Sequence, residues 1–347
     1  MGTTWRARFQ ALGAAPSLTI GTEVVPGPVL LRGAERWVGA FRGAGLVPGD
    51  RLVIVLPTGA GLAQVLLAAL WEGLTLVPAP PGADPALTAG VADARAAVVA
   101  PVVGGGSDLS WAWRPEGAGG PGPAPEALRP AGAPTPLARV LCPGGPGDPW
   151  AALLDDNLEH AVDGVLAALH PRQARWLSVL PWHAPAGLLL DLLPALLAPS
   201  TILRPSPDDQ PSPLDVANTV ERWQPSHTVL PLGLVRALAQ LWGSLDPLAC
   251  VVDGLASGPG LDPELALQLT RTRLRTHRGA PELSCLVTLG QPGMWRPGLL
   301  GRPVGCTIAD GPGGTLLVSG RPVAGARWLD GALQLVNRCS PIVVVFG

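Results

Sequence analysis

The chain has 347 residues and a formal net charge of −2; 47% of it is hydrophobic and only 14% is charged. That length suffices for two domains or one large multi-lobed one, and the near-neutral balance gives no electrostatic reason to expect nucleic acid or an anionic membrane as partner. Five cysteines (142, 250, 285, 306 and 339) without C-x-x-C spacing exclude a disulfide framework and argue against metal ligation, and read as free thiols of a reducing, cytoplasmic setting.

In chain order, MGTTWRARFQ is amphipathic and has no signal-peptide core. Residues 29–45 carry apolar positions at helical spacing and end in glycine. RLVIVLP (51–57) is a continuous apolar run of the kind found in strands buried on both faces. Helix is then expected over 59–73, strand and turn over 75–81, helix over 84–94 and strand over 96–103, a βαβ alternation that predicts a mostly parallel sheet. Residues 103–136, rich in Gly, Pro and Ala, read as a long surface excursion.

A glycine- and proline-rich segment follows, LCPGGPGDPWAALL (141–154), lying between the apolar run 138–141 and a helix-like segment over 151–169. Glycine reaches positive φ and has no Cβ to hold a ligand off, so Gly144, Gly145 and Gly147 could turn backbone N–H groups toward a phosphate. The same glycines serve equally well as plain turn residues. The segment has no lysine, serine or threonine, and Trp150 stands where a cation would be useful. Lysine is absent from the whole chain, and all its basic residues are arginine.

A second βα series runs on from there. It predicts a helix over 155–169, strand and turn over 176–183, helix over 184–197, strand over 200–205, helix over 212–223, strand over 226–231, helix over 232–242, strand over 248–252 and helix over 262–276. The longest apolar run, near 184–198, is broken by Asp191 and Pro194 and is too short to span a bilayer. Beyond Pro292 glycine and proline recur between short apolar runs, which predicts a small antiparallel sheet or barrel.

The order and spacing of these pieces resemble the large N-terminal domain of the adenylate-forming superfamily: acyl-CoA synthetases, luciferases and peptide-synthetase adenylation domains. LVPGDRLVIVLPTG (46–59) is similar to the family's opening strand motif, and LCPGGPGDPWAALL falls on its T-S-G-T-T-G-x-P-K-G-V phosphate loop, with Trp150 at the lysine position. LPWH (180–183) resembles the motif whose histidine, here His183, lies beside the acyl pocket. VVDGLAS (251–257), with Gly254 and Ala256, sits at the adenine-contacting segment. RGAPE (278–282) falls on Y-G-x-T-E, keeping Gly279 and Glu282, and the glutamate is the family's Mg²⁺ ligand. GLLGRPVGCTIADG, GTLLVSGRPVAG and LDGALQLVNRCSP resemble later motifs, the last placing Arg338 at the hinge arginine. The T-G-D motif that holds the ribose, and the C-terminal lid with its catalytic lysine, have no counterpart in the resemblance.

The resemblance implies an α/β fold of two βα-layered subdomains, about 1–170 and 171–291, with mostly parallel sheets, and a small C-terminal antiparallel β-barrel over about 292–347. It implies ATP or AMP and Mg²⁺ as ligands of a working member, with an acyl or carboxylate substrate. Adenylation places growing negative charge on phosphoryl oxygens, and losing one positioned donor there costs on the order of 10²–10³ in rate. A protein that has lost most of that machinery is the first expectation: an acyl- or nucleotide-binding or regulatory module, with a partner enzyme. The second is an active carboxylate-adenylating or acid–CoA ligase subunit whose lid comes from another polypeptide. Each candidate also has a plainer reading: His183 as a helix-start or core histidine, Glu282 as a solvated loop carboxylate. Arginines 271, 273, 275 and 278 match the macrodipole at a helix end.

Overall fold

Two large sheets organise the chain in a computed structural model that describes residues 3–10, 16–100, 111–114, 121–122, 128, 138–143, 150–251, 253–257, 263–295, 301–312, 315–329, 332–336 and 342–344. The chain divides into two compact units, one formed by residues 1–18, 24–155 and 325–336, the other by 19–23, 156–324 and 337–347. Most of the excursion 103–136, all three loop glycines and Arg338 lie outside the described residues.

In the first unit, the run RLVIV forms a fully buried strand, Arg51–Val55, paired in parallel with Thr75–Pro78 on one side and Ala96–Val99 on the other. The eight-stranded sheet runs, in order, Ala332–Leu335, Ala326–Leu329, Trp150–Leu154, Ala138–Cys142, Thr75–Pro78, Arg51–Val55, Ala96–Val99 and Ala112–Trp113. Its first four strands pair antiparallel and the remainder parallel, as the βαβ alternation predicts for that part.

Helix Ala60–Glu72 is buried along Leu62–Trp71 and ends at Gly73, whose φ of 75° takes the left-handed cap that glycine adopts without strain. Helix Gly27–Gly43 packs on it, and Gly33 permits the contact: a Cβ there would stand 2.1 Å from Gln64 Cδ. Trp37, Phe41 and Trp113 form an aromatic cluster in which Trp113 stands edge-on to the other two.

In the second unit the nine-stranded sheet runs Arg302–Pro303, Thr288–Leu289, Leu274–Arg278, Asp253–Ser257, His227–Pro231, Ala174–Ser178, Ser200–Arg204, Ser17–Ile20 and Glu23–Val25. From Leu274–Arg278 to Ser200–Arg204 every pairing is parallel. Helices Pro213–Trp223 and Leu232–Trp242 cover one face through Val216, Val220, Val235 and Leu238. Ser212 caps the first by accepting from the Asp215 amide.

Four expectations change. The helix-like segment over 151–169 opens as a strand, Trp150–Leu154, and is helical only from Asp155. The segment 262–276 is not one helix: it ends at Leu269, the Thr272 hydroxyl closes on the Leu269 carbonyl, and Leu274–Arg278 is a strand. A slot beside Asp253–Ser257 outweighs helix propensity there. Residues 248–252 are not a strand either: Asp246–Cys250 is a 3₁₀ turn and the strand begins at Asp253. Past residue 292 no closed barrel forms among the described residues. Cys306–Asp310, Leu316–Gly320 and Ile342–Val344 make a three-stranded antiparallel sheet, while the other C-terminal strands extend the edges of the two large sheets.

Candidate functional site

The strands flanking the glycine-rich segment are antiparallel neighbours, with Cys142 opposite Ala151 and Leu141 opposite Ala152. Trp150 therefore opens a strand, Trp150–Leu154, and the helix starts only at Asp155. Its other neighbour is Ala326–Leu329, which puts Trp150 in register with Trp328. The half-buried Trp150 side chain packs against the cluster that includes Val53, Val77, Leu141 and Ala152. It is a sheet residue in packing as well as in backbone.

Arg139, on the strand leading to the segment, is buried and committed elsewhere. Its Nε lies 2.8 Å from Asp155 Oδ1, and Nη2 donates to the Leu70 carbonyl at 2.6 Å. Burial lowers its pKa, partly offset by Asp155. Trp5 Nε1 also donates to Asp155 Oδ1, at 2.9 Å.

In the second unit, His183 and Glu282 both follow the carboxyl ends of parallel strands, Ala174–Ser178 and Leu274–Arg278. In open α/β sheets that edge is where ligands bind. Two strands separate theirs in the sheet, so the two strand ends lie three spacings apart, about 14 Å.

The turn bearing His183 is built from buried polar groups. Asp191 is fully buried in the π-helical turn Gly187–Leu192. Its Oδ1 accepts from Trp176 Nε1 at 2.8 Å, and its Oδ2 accepts from Ser178 Oγ at 2.8 Å and the Leu180 amide at 3.2 Å. Trp182 Nε1 donates to Ser178 Oγ at 2.8 Å. Arg204 Nη1 donates to the Leu180 carbonyl, and Nη2 to the carbonyls of Asp208 and Asp209. Its guanidinium carbon sits 5.5 Å from the Trp182 ring centroid. His183 Nδ1 lies 3.7 Å from Asp209 Oδ1, too far for a hydrogen bond.

Desolvation raises Asp191 to about 6, against its four hydrogen-bond and charge partners, which favour the ionised form. Desolvation also lowers His183; Asp209 opposes that shift and Arg204 adds to it.

Glu282 is exposed in the 3₁₀ turn Pro281–Leu283, and its carbonyl accepts from the Ala324 amide at 2.8 Å. Gly279 is required by close approach: a Cβ there would lie 2.1 Å from both the carbonyl carbon and oxygen of Cys285. Gly254 and Ala256 lie on Asp253–Ser257 between two parallel partners, Gly254 beside Thr228 and Leu274, Ala256 beside Leu230 and Thr276. Their backbones thus belong to the interior of the sheet. Among the described residues no three His, Cys, Asp or Glu side chains gather as a metal site.

No family model and no curated protein matches the chain. Solved structures do match. MenE from E. coli, with a bound phenylether-linked analogue of OSB-AMS, is 18% identical with a TM-score of 0.73, over 98% of this chain and 73% of its own. The NpsA N-terminal subdomain of Klebsiella oxytoca, in complex with anthranilyl-AMSN, is 15% identical with a TM-score of 0.74, over 99% of both chains. Apo MatB from Rhodopseudomonas palustris is 15% identical with a TM-score of 0.76, over 99% of this chain and 78% of its own. This is the fold of the N-terminal domain of adenylate-forming enzymes.

Two of the candidate residues have structural roles in this fold. Trp150 is a paired sheet residue, and Gly279 answers a steric demand of its own turn. Sequence reasoning missed Asp191, Ser178, Trp176 and Arg204 as a cluster. The one available signal was the break that Asp191 makes in the apolar run near 184–198. No helix among the described residues is long and apolar enough to cross a membrane.

Proposed function

We propose that the chain uses the adenylate-forming fold as a catalytically degenerate module that binds an acyl or nucleotide ligand, in a regulatory role or beside a partner enzyme. The observation that carries this reading is Trp150. At the position where the resembled phosphate loop has its lysine, the chain has an indole packed in a sheet, and Arg139 nearby in sequence is spent on Asp155. With no lysine anywhere in the chain, positioned positive charge for a β- or γ-phosphate is lacking at that place. Ligand binding draws support from the NpsA N-terminal subdomain, a fold of the same extent solved with anthranilyl-AMSN.

The rival reading is an active, ATP-dependent carboxylate-adenylating or acid–CoA ligase subunit acting with a separately supplied lid. Glu282 favours it, because an exposed carboxylate on a 3₁₀ turn suits a Mg²⁺ that is otherwise held by nucleotide phosphates and water. ATP–pyrophosphate exchange over a broad carboxylate panel separates the two. Exchange at background, with calorimetric binding of a carboxylate or acyl ligand, is the expected result. Exchange above background with any acid sinks the degenerate reading.

A further inference from the structure

Leu180 is held at both backbone groups by side chains. Its N–H rests on Asp191 Oδ2 and its carbonyl on Arg204 Nη1. One residue on, the Pro181 carbonyl lies against the first residue of the π-helical turn. A Cβ on Gly187 would meet that oxygen at 1.9 Å and the Pro181 carbonyl carbon at 2.6 Å, so only glycine lets the turn sit this close. Next, the Trp182 indole donates to Ser178 Oγ, whose own hydroxyl donates to Asp191 Oδ2. His183 then follows with its Nδ1 buried and without a hydrogen-bond partner, facing Asp209, whose carbonyl Arg204 grips. Leu180 and Trp182 are thus tied by hydrogen bonds to Asp191 or Arg204, and Pro181 and His183 are the residues that follow each of them.

We propose that Asp191 is a positioning residue: its carboxylate, acting through Ser178 and the Leu180 amide, sets the 180–183 turn and so aims the His183 imidazole. A carboxylate suits this task, because three donors from three directions converge on its two oxygens, and an amide would turn an N–H toward one of them. π-Helical turns are rare and concentrate at functional sites, and this one carries the acid on which the turn depends.

The groups facing Asp191 are Trp176 and Ser178 from strand Ala174–Ser178, the Leu180 amide, and the Arg204 charge from strand Ser200–Arg204. His227, from the adjoining strand, stacks on the Trp176 ring at 6.1 Å. The functional consequence rests on the proposed reading, in which the His183 turn borders an acyl or carboxylate ligand. The positioning itself does not.

The test is nuclear magnetic resonance of the ligand-free full chain, following the indole N–H signals of Trp176 and Trp182 and the His183 ring protons from pH 5 to pH 8. Trp→Phe and His→Gln variants assign the signals. The expected result is a pH midpoint shared by the two indoles that also appears as a second step beside the His183 ring's own titration, removed in Asp191→Asn. Ser178→Ala is expected to release Trp182 alone and leave Trp176 responding. Asp191→Leu, which removes the carboxylate without putting an N–H in its place, serves as a second variant should the asparagine variant prove unstable, and is expected to lose the shared midpoint too. An unchanged His183 titration in Asp191→Asn and Asp191→Leu overturns the proposal, as does a Trp182 signal that still tracks Trp176 in Ser178→Ala. Adding a carboxylate panel to the wild type tests the ligand reading separately. Silence there counts against the ligand and leaves the ligand-free titrations to decide the positioning.

Discussion

Arg139 Nε lies 2.8 Å from Asp155 Oδ1, so the two ends of the segment that resembles a phosphate loop are joined by an ion pair. The arginine is almost wholly buried and the aspartate about a quarter exposed. Removing one partner of such a pair strands the other. Arg139→Ala is expected to destabilise the protein by about 3 kcal/mol, the lower end for broken buried pairs because water still reaches Asp155. Urea unfolding would show it, and binding of Mg·ATP should not change, since this cation already has its partners.

Trp150→Lys restores the residue type that the resemblance calls for. It would do so on a strand, in register with Trp328 and against a cluster of valines and alanines. We expect no gain in ATP–pyrophosphate exchange and a loss of about 1–2 kcal/mol from the removed apolar contact. A variant that gained exchange would show that backbone geometry suited to phosphate survives here.

Gly279 and Glu282 stand three residues apart and should behave in opposite ways. Gly279→Ala drives a methyl group into the Cys285 carbonyl, which is backbone and cannot rotate aside, at an expected cost of about 3 kcal/mol. Glu282→Gln alters an exposed side chain and should stay within about 0.5 kcal/mol of wild type. Paired denaturation curves settle it. A large loss in Glu282→Gln would point to a partner for that carboxylate.

Helix Leu232–Trp242 was legible to the residue, because its apolar positions recur at helical spacing and Gly243 ends it. Leu274–Arg278 was not. Leu-Arg-Thr-His-Arg has no apolar rhythm, and only the vacancy beside Asp253–Ser257 makes a strand of it. Residues 151–154 were misread for a related reason: AALL favours a helix until two neighbouring strands claim it. The cluster at Asp191 was the least legible, since its members are spread from Trp176 to Asp209 and meet only when the sheet forms.

Two buried groups should give the second unit opposing pH dependences. Asp191 is raised to about 6 by burial, so its contribution is present below the ordinary carboxylate value of 3.8 and is lost as pH rises through 6. His277, fully buried on Leu274–Arg278, is lowered to about 4 by burial and, less, by the Arg278 charge. Its contribution is present above 6.5 and is lost as pH falls through 4. Each shift corresponds to roughly 3 kcal/mol, of opposite slope over nearly the same window. His183, also lowered, adds to the slope of His277. The wild type should therefore show nearly flat stability between pH 4.5 and 6, as the two slopes offset each other. Asp191→Leu should be markedly more stable at pH 6 than at pH 4.5, and His277→Leu markedly less. Urea midpoints at those two pH values decide the matter: a wild type with a steep slope, or two variants that slope the same way, would show that one of these groups is not buried as its neighbours imply.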